Sequence, residues 1–235
     1  MILNQNWHVS GGDGNGHSFD IDAQVPGCLH TDLQRAGLLP DLYYRDNSKT
    51  AQWVENCHAV YTCRFTLTDS ISYTHLRFGG LDVYATVKLN GTLLGETNDM
   101  HIPWAFPVKD ILKKGENVLE VGFRSPIKEV EDLPKRNGAF STERLYTRRI
   151  QCTYGWDWVD RFVTMGIFRD VALITTVKDT LPPAEEGIYV YTEEITPFGA
   201  KVGIELTFPD ISGDGWVGVT VLSPAEKCVF SISSS

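Results

Sequence analysis

Within Gln151–Arg169 (QCTYGWDWVDRFVTMGIFR), Tyr154, Trp156 and Trp158 crowd around a single carboxylate, Asp157, and Arg161 follows close behind. Large rigid aromatics beside a few placed polar groups are the usual make-up of a ligand pocket. The chemistry suits a sugar, whose C–H faces lie flat on indole rings while its hydroxyls donate to a carboxylate. The same residues also make good core, and Asp157 could simply pair with Arg161. The residues taken alone leave both readings open.

The elements that must hold this segment read mostly as β-strands. Ala59–Leu67, His75–Phe78, Tyr84–Leu89, Thr92–Glu96, Asn117–Phe123 and Phe168–Thr175 are short, alternating and bounded by turn residues, which predicts an antiparallel sandwich. Asn90-Gly91 between two such runs signals a tight hairpin, because both residues tolerate positive φ. Helices are few. Cys28–Ala36 places Leu29, Leu33 and Ala36 on one face, with Gly37 set to end it. Val108–Leu112 reads as a single turn, and Ile127–Leu133 and Thr142–Arg149 as short helices. The polar excursion 125–150 thus leads straight into the Trp-rich segment, and long excursions of this kind usually serve a function or an interface.

Composition narrows the classes of function. The 235 residues are 42% hydrophobic and 22% charged, an ordinary soluble globular balance. A net charge of −9 with no basic stripe disfavours nucleic-acid binding. No apolar run is long enough to span a membrane, and the start MILNQNWHV shows no signal peptide. A soluble protein of the cytoplasm or periplasm is the resulting expectation. Cys28, Cys57, Cys63, Cys152 and Cys228 are too few and too scattered for a disulfide framework, and read as small buried hydrophobes. His8, His17, His30, His58, His75 and His101 show no ligand spacing, so neither a metal nor a cofactor is expected.

Polar Lys178–Glu186, with Pro182-Pro183, reads as a linker between domains. Four strands follow, near 187–192, 200–208, 216–222 and 228–232. An independent immunoglobulin-like sandwich needs about seven strands, so the second domain is expected to be incomplete. Exposed edges there would invite pairing between chains, which makes a homodimer an expectation as well.

In order along the chain, Val25–Leu33 (VPGCLHTDL) resembles the VPGxxHxDL signature of the β-mannosidase branch of glycoside hydrolase family 2. Gly80–Gly91 (GLDVYATVKLNG) resembles that family's GLDTxAxVxLNG hairpin, Val121–Pro126 (VGFRSP) its VxFxSP strand end, and Arg148–Arg169 its RKxQYxFGWDWGPRxxTxGIWR segment. The resemblance spans roughly residues 1–176. It implies an all-β chain: a galactose-binding-like jelly-roll sandwich with a few short helices over 1–178, a linker over 179–186, and the start of an immunoglobulin-like sandwich over 187–235. It further implies a (β/α)8 barrel beyond this chain, carrying the two carboxylates of a retaining glycosidase about 5 Å apart. This chain by itself is therefore expected to be catalytically silent, with no catalytic residue of its own and the barrel as its partner.

The resemblance also assigns roles. Asp157 accepts hydroxyls of the terminal β-linked sugar, Trp156 and Trp158 wall the pocket, and Arg161 positions Asp157 or touches the sugar. Val159-Asp160 stands where the family has Gly-Pro, which changes the loop's backbone freedom and adds a second carboxylate. Val83 stands for the family's Thr and Phe168 for its Trp. Branches acting on β-galactosides, β-glucuronides and β-glucosaminides share the same domain plan, so the sugar stays open. A free-standing carbohydrate-binding module and a purely structural domain are the alternatives. Among the remaining polar residues, His30 reads as a structural histidine and Asp82 as a turn cap. Glu129, Glu131 and Glu143 read as a solvated face. Trp7, Trp53 and Trp104 are assigned to core or interface.

Overall fold

The computed structural model describes residues 1–68, 73–135, 141–175, 188–206, 217–222, 225 and 227–234. The chain divides into two compact units, Met1–Thr176 and Val177–Ser235. The expected linker 179–186 lies outside the described residues.

The first unit is built on a six-stranded antiparallel sheet. Its strands are β1 (Trp7–Gly12), β2 (Ser18–Ala23), β3 (His58–Leu67), β6 (Ala85–Leu89), β7 (Thr92–Thr97) and β9 (Gly115–Phe123), in the order β2-β1-β3-β9-β6-β7. A three-stranded sheet orders β11 (Val171–Ile174), β4 (His75–Phe78) and β8 (Trp104–Pro107) as β11-β4-β8. A short pair joins β5 (Leu81–Asp82) to β10 (Gly166–Ile167). Strand β3 shows why these residues form strands. Ala59, Tyr61, Cys63, Phe65 and Leu67 are buried while the residues between them face outward, the two-residue period of a sheet with one covered face. Residues of both sheets, including Tyr61, Leu119 and Phe123 from one and Leu76, Phe78 and Val171 from the other, belong to one apolar core. Within it the ring of Tyr61 stands edge-on to Phe123 at 5.6 Å.

Two expectations from local sequence are met in detail. Asn90 (φ 52°) and Gly91 (φ 81°) turn β6 into β7, and the Asn90 side chain also bonds to Asn117, to the carbonyl of Ile111 and to the amide of Val118. Helix α1 spans Leu29–Arg35. Its end is closed by the Gly37 amide on the Gln34 carbonyl and the Leu38 amide on the Leu33 carbonyl, the paired bonds of a Schellman stop. Leu29 and Leu33 are fully buried, each contributing roughly 1.5–3 kcal/mol. Buried Asp32 ties the helix to the sheet through the Tyr61 hydroxyl and the Gln24 amide just past β2, and pairs with Arg35 within the helix.

Other elements differ from expectation. Strands β1, β2 and β8 were not expected, and neither was helix α2 (Asn47–Thr50) with the 3-10 turn Gln52–Asn56 that follows it. The two helices expected in the excursion shrink to 3-10 turns at Lys128–Val130 and Glu143–Leu145. The second unit contains two antiparallel pairs, Ile188–Thr196 (β12) with Gly199–Leu206 (β13), and Val217–Leu222 (β14) with Cys228–Ser234 (β15). No helix among the described residues is long and apolar enough to cross a membrane.

Candidate functional site

The Trp-rich segment leaves the core as a tight hairpin. The Trp156 amide donates to the Val159 carbonyl at 3.0 Å and the Val159 amide returns to Trp156 at 3.4 Å, so Asp157 and Trp158 form the tip of a two-residue turn. Gly155 enters it at φ 93°, a conformation that costs a residue with a side chain about 1 kcal/mol or more. The tip is exposed: Trp158 is 71% accessible and Trp156 40%.

Behind the tip, Arg161 turns inward. Its Nε and Nη2 grip Glu55 at 2.7 and 3.2 Å, and Nη2 also reaches Glu143 at 2.7 Å. Nη1 donates to the Tyr154 carbonyl at 3.3 Å, and the guanidinium lies 5.5 Å from the Tyr154 ring. The Arg161 carbonyl in turn accepts from Gln52 at 2.9 Å, and the Phe162 amide donates to Thr153. Charge-assisted forks of this kind fix one geometry. They hold down the base of the hairpin from three separate stretches of chain. Glu55 is itself anchored, since the buried Ser125 hydroxyl donates to its carbonyl at 2.6 Å. Burial pushes the Glu143 carboxyl up, but hydrogen bonds from its own backbone amide and from Arg161 outweigh burial and hold it below its ordinary range.

Two contacts here differ from the pairings the residues suggested. No hydrogen bond or ion pair joins Arg161 to Asp157 among the described residues; its guanidinium is taken by Glu55 and Glu143. Glu143 is not part of a solvated face, because its carboxylate folds back onto Arg161 and is only 22% exposed. Glu129 pairs with Arg124 at 2.9 Å, and Glu131 is exposed.

A second anchor lies deeper. Arg149, 1% exposed, makes a two-pronged contact with Asp82, 3% exposed, at 3.0 and 2.8 Å. Its Nη2 also donates to the Thr164 carbonyl and hydroxyl at 2.9 Å, while the Thr164 hydroxyl donates to Asp82 at 2.6 Å. Asp82 is therefore not a turn cap but half of a buried ion pair that clips the segment to β5. His30, expected to be structural, is buried with its edge against Phe162, ring centroids 5.8 Å apart. Burial, and then the nearby Arg149 charge, push its pKa down to about 4. Trp7 is buried and donates to the Leu3 carbonyl, Trp104 donates to Asp99, and Trp53 stacks on His17 at 4.3 Å.

The hairpin forms one wall of a cavity of about 480 Å³. Trp156, Asp157, Trp158, Val159, Asp160 and Phe162 face Leu42, Tyr43 and Arg45 across it. Three of the four expected site residues, Asp157, Trp156 and Trp158, thus share one cavity, while Arg161 lies behind it as an anchor. The facing wall escaped the sequence reading. Its only signal is Tyr43-Tyr44-Arg45, aromatics next to a cation in a stretch without helical or strand period. Phe162 stands between His30 and Tyr43, with the Tyr43 ring 6.5 Å away. The Arg144 guanidinium lies 4.6 Å over the Trp156 ring, a cation–π contact that restrains the indole. Chemically, the cavity offers two carboxylates as hydroxyl acceptors, one guanidinium and several flat apolar faces. Among the described residues no three His, Cys, Asp or Glu side chains come together as metal ligands.

Comparison with known proteins agrees with this architecture. The β-mannosidase of Capra hircus is 30% identical over 189 residues, which cover 74% of this chain and 21% of that protein. β-Mannosidase B of Thermothelomyces thermophilus is 35% identical over 182 residues, covering 73% and 21%. The chain thus spans about a fifth of the length of these curated relatives. Among solved structures, the β-D-mannosidase of Dictyoglomus thermophilum superposes with a TM-score of 0.72 at 33% identity, covering 88% of this chain and 25% of that one. A Bifidobacterium dentium β-glucuronidase shares the fold, with a TM-score of 0.57 at 20% identity over 99% of this chain and 39% of that one. The profile described as the glycosyl hydrolase 2 galactose-binding domain-like family matches residues 7–169. With that match and with β-mannosidase relatives at this level of identity, the chain belongs to the galactose-binding-like domain family of glycosyl hydrolase family 2.

Proposed function

We propose that this chain is the amino-terminal, sugar-binding and scaffolding portion of a retaining exo-β-glycosidase of β-mannosidase type. The observation that carries this reading is the cavity wall itself: Asp157 at the tip of an anchored hairpin, between two exposed indoles. Exposed aromatics flanking a carboxylate suit a ligand with apolar faces and hydroxyl donors. In this reading Asp157 accepts hydroxyls of the terminal sugar and Trp156 and Trp158 supply the walls. Arg161 acts from behind as a positioning residue. The catalytic acid/base and nucleophile belong to a (β/α)8 barrel that completes the pocket. Residues 1–178 form the sugar-binding domain, 179–186 the linker and 187–235 the start of an immunoglobulin-like domain.

The test is titration of the chain with methyl β-D-mannoside, read from the indole N–H signals of Trp156 and Trp158. Saturable shifts that are lost in Asp157→Ala support the reading. Titrations flat for every monosaccharide leave the chain as scaffold alone and sink the sugar-binding part.

A further inference from the structure

The cavity holds more acceptors than one sugar contact requires. Asp157 sits in the hairpin turn, and Asp160 follows the Trp156–Val159 bridge on the same wall. Both are exposed, and neither has an ion-pair partner among the described residues. Among the described residues the one cation lining the cavity is Arg45, whose guanidinium lies 5.2 Å from the ring of its neighbour Tyr44. Arg144 is held over Trp156 and does not line the cavity. Arg161, next in sequence to Asp160, is already taken by Glu55 and Glu143. Two carboxylates thus face one guanidinium, and the Arg161 anchor holds the backbone next to Asp160.

Resting on the sugar-binding reading above, we propose that this pocket selects glycosides by charge, taking neutral or amine-bearing sugars and rejecting uronic acids, and that Asp160 sets the selectivity. Asp157 suffices as a hydroxyl acceptor, since an ionised carboxylate has several lone-pair sites. Asp160 supplies the surplus negative charge. A ligand carboxylate in this cavity meets that charge across a partly solvated gap of several ångströms. Coulomb's law there corresponds to about a three- to tenfold change in affinity. A sugar with a 2-ammonium group gains by a similar factor, and salt screens both effects.

The experiment titrates the whole 235-residue chain with methyl β-D-mannoside, methyl 2-amino-2-deoxy-β-D-glucoside and methyl β-D-glucuronide. Trp156 and Trp158 indole signals are followed at low and at high ionic strength. The expected order is amine tighter than neutral and neutral tighter than uronate, with each gap about three- to tenfold at low salt and narrower at high salt. Asp160→Asn, and Asp160→Ser as a second variant at this exposed position, should reduce each gap, taken as a ratio of affinities within the same variant, to under about twofold. A uronate that binds as tightly as the mannoside, or gaps unchanged in both variants, overturns the charge selectivity and leaves the sugar reading standing. Absence of binding by all three sugars overturns the sugar reading itself, and this proposal with it.

Discussion

Removing the Asp82 charge should destabilise the first unit more than almost any other single polar change. Arg149 is 1% exposed; Asp82 supplies its one counter-charge, bonding Nε and sharing Nη2 with Thr164. Asp82→Asn keeps the shape but leaves a buried guanidinium without its counter-charge. Breaking one side of a buried pair costs about 3–5 kcal/mol, because the surviving ion stays desolvated. For a unit of this size each kcal/mol lowers Tm by roughly 2–4 °C, so the drop should be roughly 6–20 °C. Arg149→Met should cost a comparable amount, since it strands the carboxylate instead. The double replacement Asp82→Leu with Arg149→Met removes both charges together and should recover most of the loss, because a buried pair is worth little against apolar residues of similar volume. Thermal unfolding followed by circular dichroism measures all three variants. A drop of under about 2 °C for Asp82→Asn would refute the reasoning. So would a double variant as unstable as the sum of the singles, for then the loss comes from packing and not from an uncompensated charge.

Two further outcomes follow from the same geometry. Arg161→Gln should cost about 1–3 kcal/mol, less than a fully buried pair because its side chain is 24% exposed. It should also speed chymotryptic cleavage at Trp156 and Trp158 several-fold, and an unchanged cleavage pattern would show that Glu55 and Glu143 do not hold the hairpin. His30 has a folded pKa near about 4 against 6.5 for the free side chain, so the unfolded chain binds the extra proton between those values. Its contribution to stability is complete above pH 6.5 and declines as pH falls toward 4, by up to roughly 3 kcal/mol. Denaturant titrations at pH 7 and pH 4.5 should show a smaller acid loss in His30→Gln than in the parent, and equal losses would contradict the burial argument.

Much of the scaffold could be read along the chain because its signals are local. The alternation of Ala59–Leu67 places five residues inward, Asn90-Gly91 sets a hairpin register, and Gly37 stops α1. Strands β1, β2 and β8 were harder to read: Trp7 and Val9, and Phe19, Ile21 and Ala23, do alternate, but each run is short, and pairing with β3 across the chain completes β1. His8 of β1, for instance, sits opposite Thr62 of β3, far along the chain. The candidate site was half visible. Asp157, Trp156 and Trp158 lie within three consecutive positions, so composition alone could mark them.

What the sequence determined by itself was therefore the sandwich, the family and one wall of the cavity, all written in residues near one another or in motifs kept in order. Only the tertiary structure decided the rest. It set Tyr43 and Arg45 across from Asp157, gave Arg161 to Glu55 and Glu143, and turned Asp82 from an expected turn cap into a buried ion pair with Arg149. The physical reason is the same in each case. Charges choose partners by distance in space and by shared desolvation, and the partners Asp82 and Arg149 stand 67 residues apart along the chain.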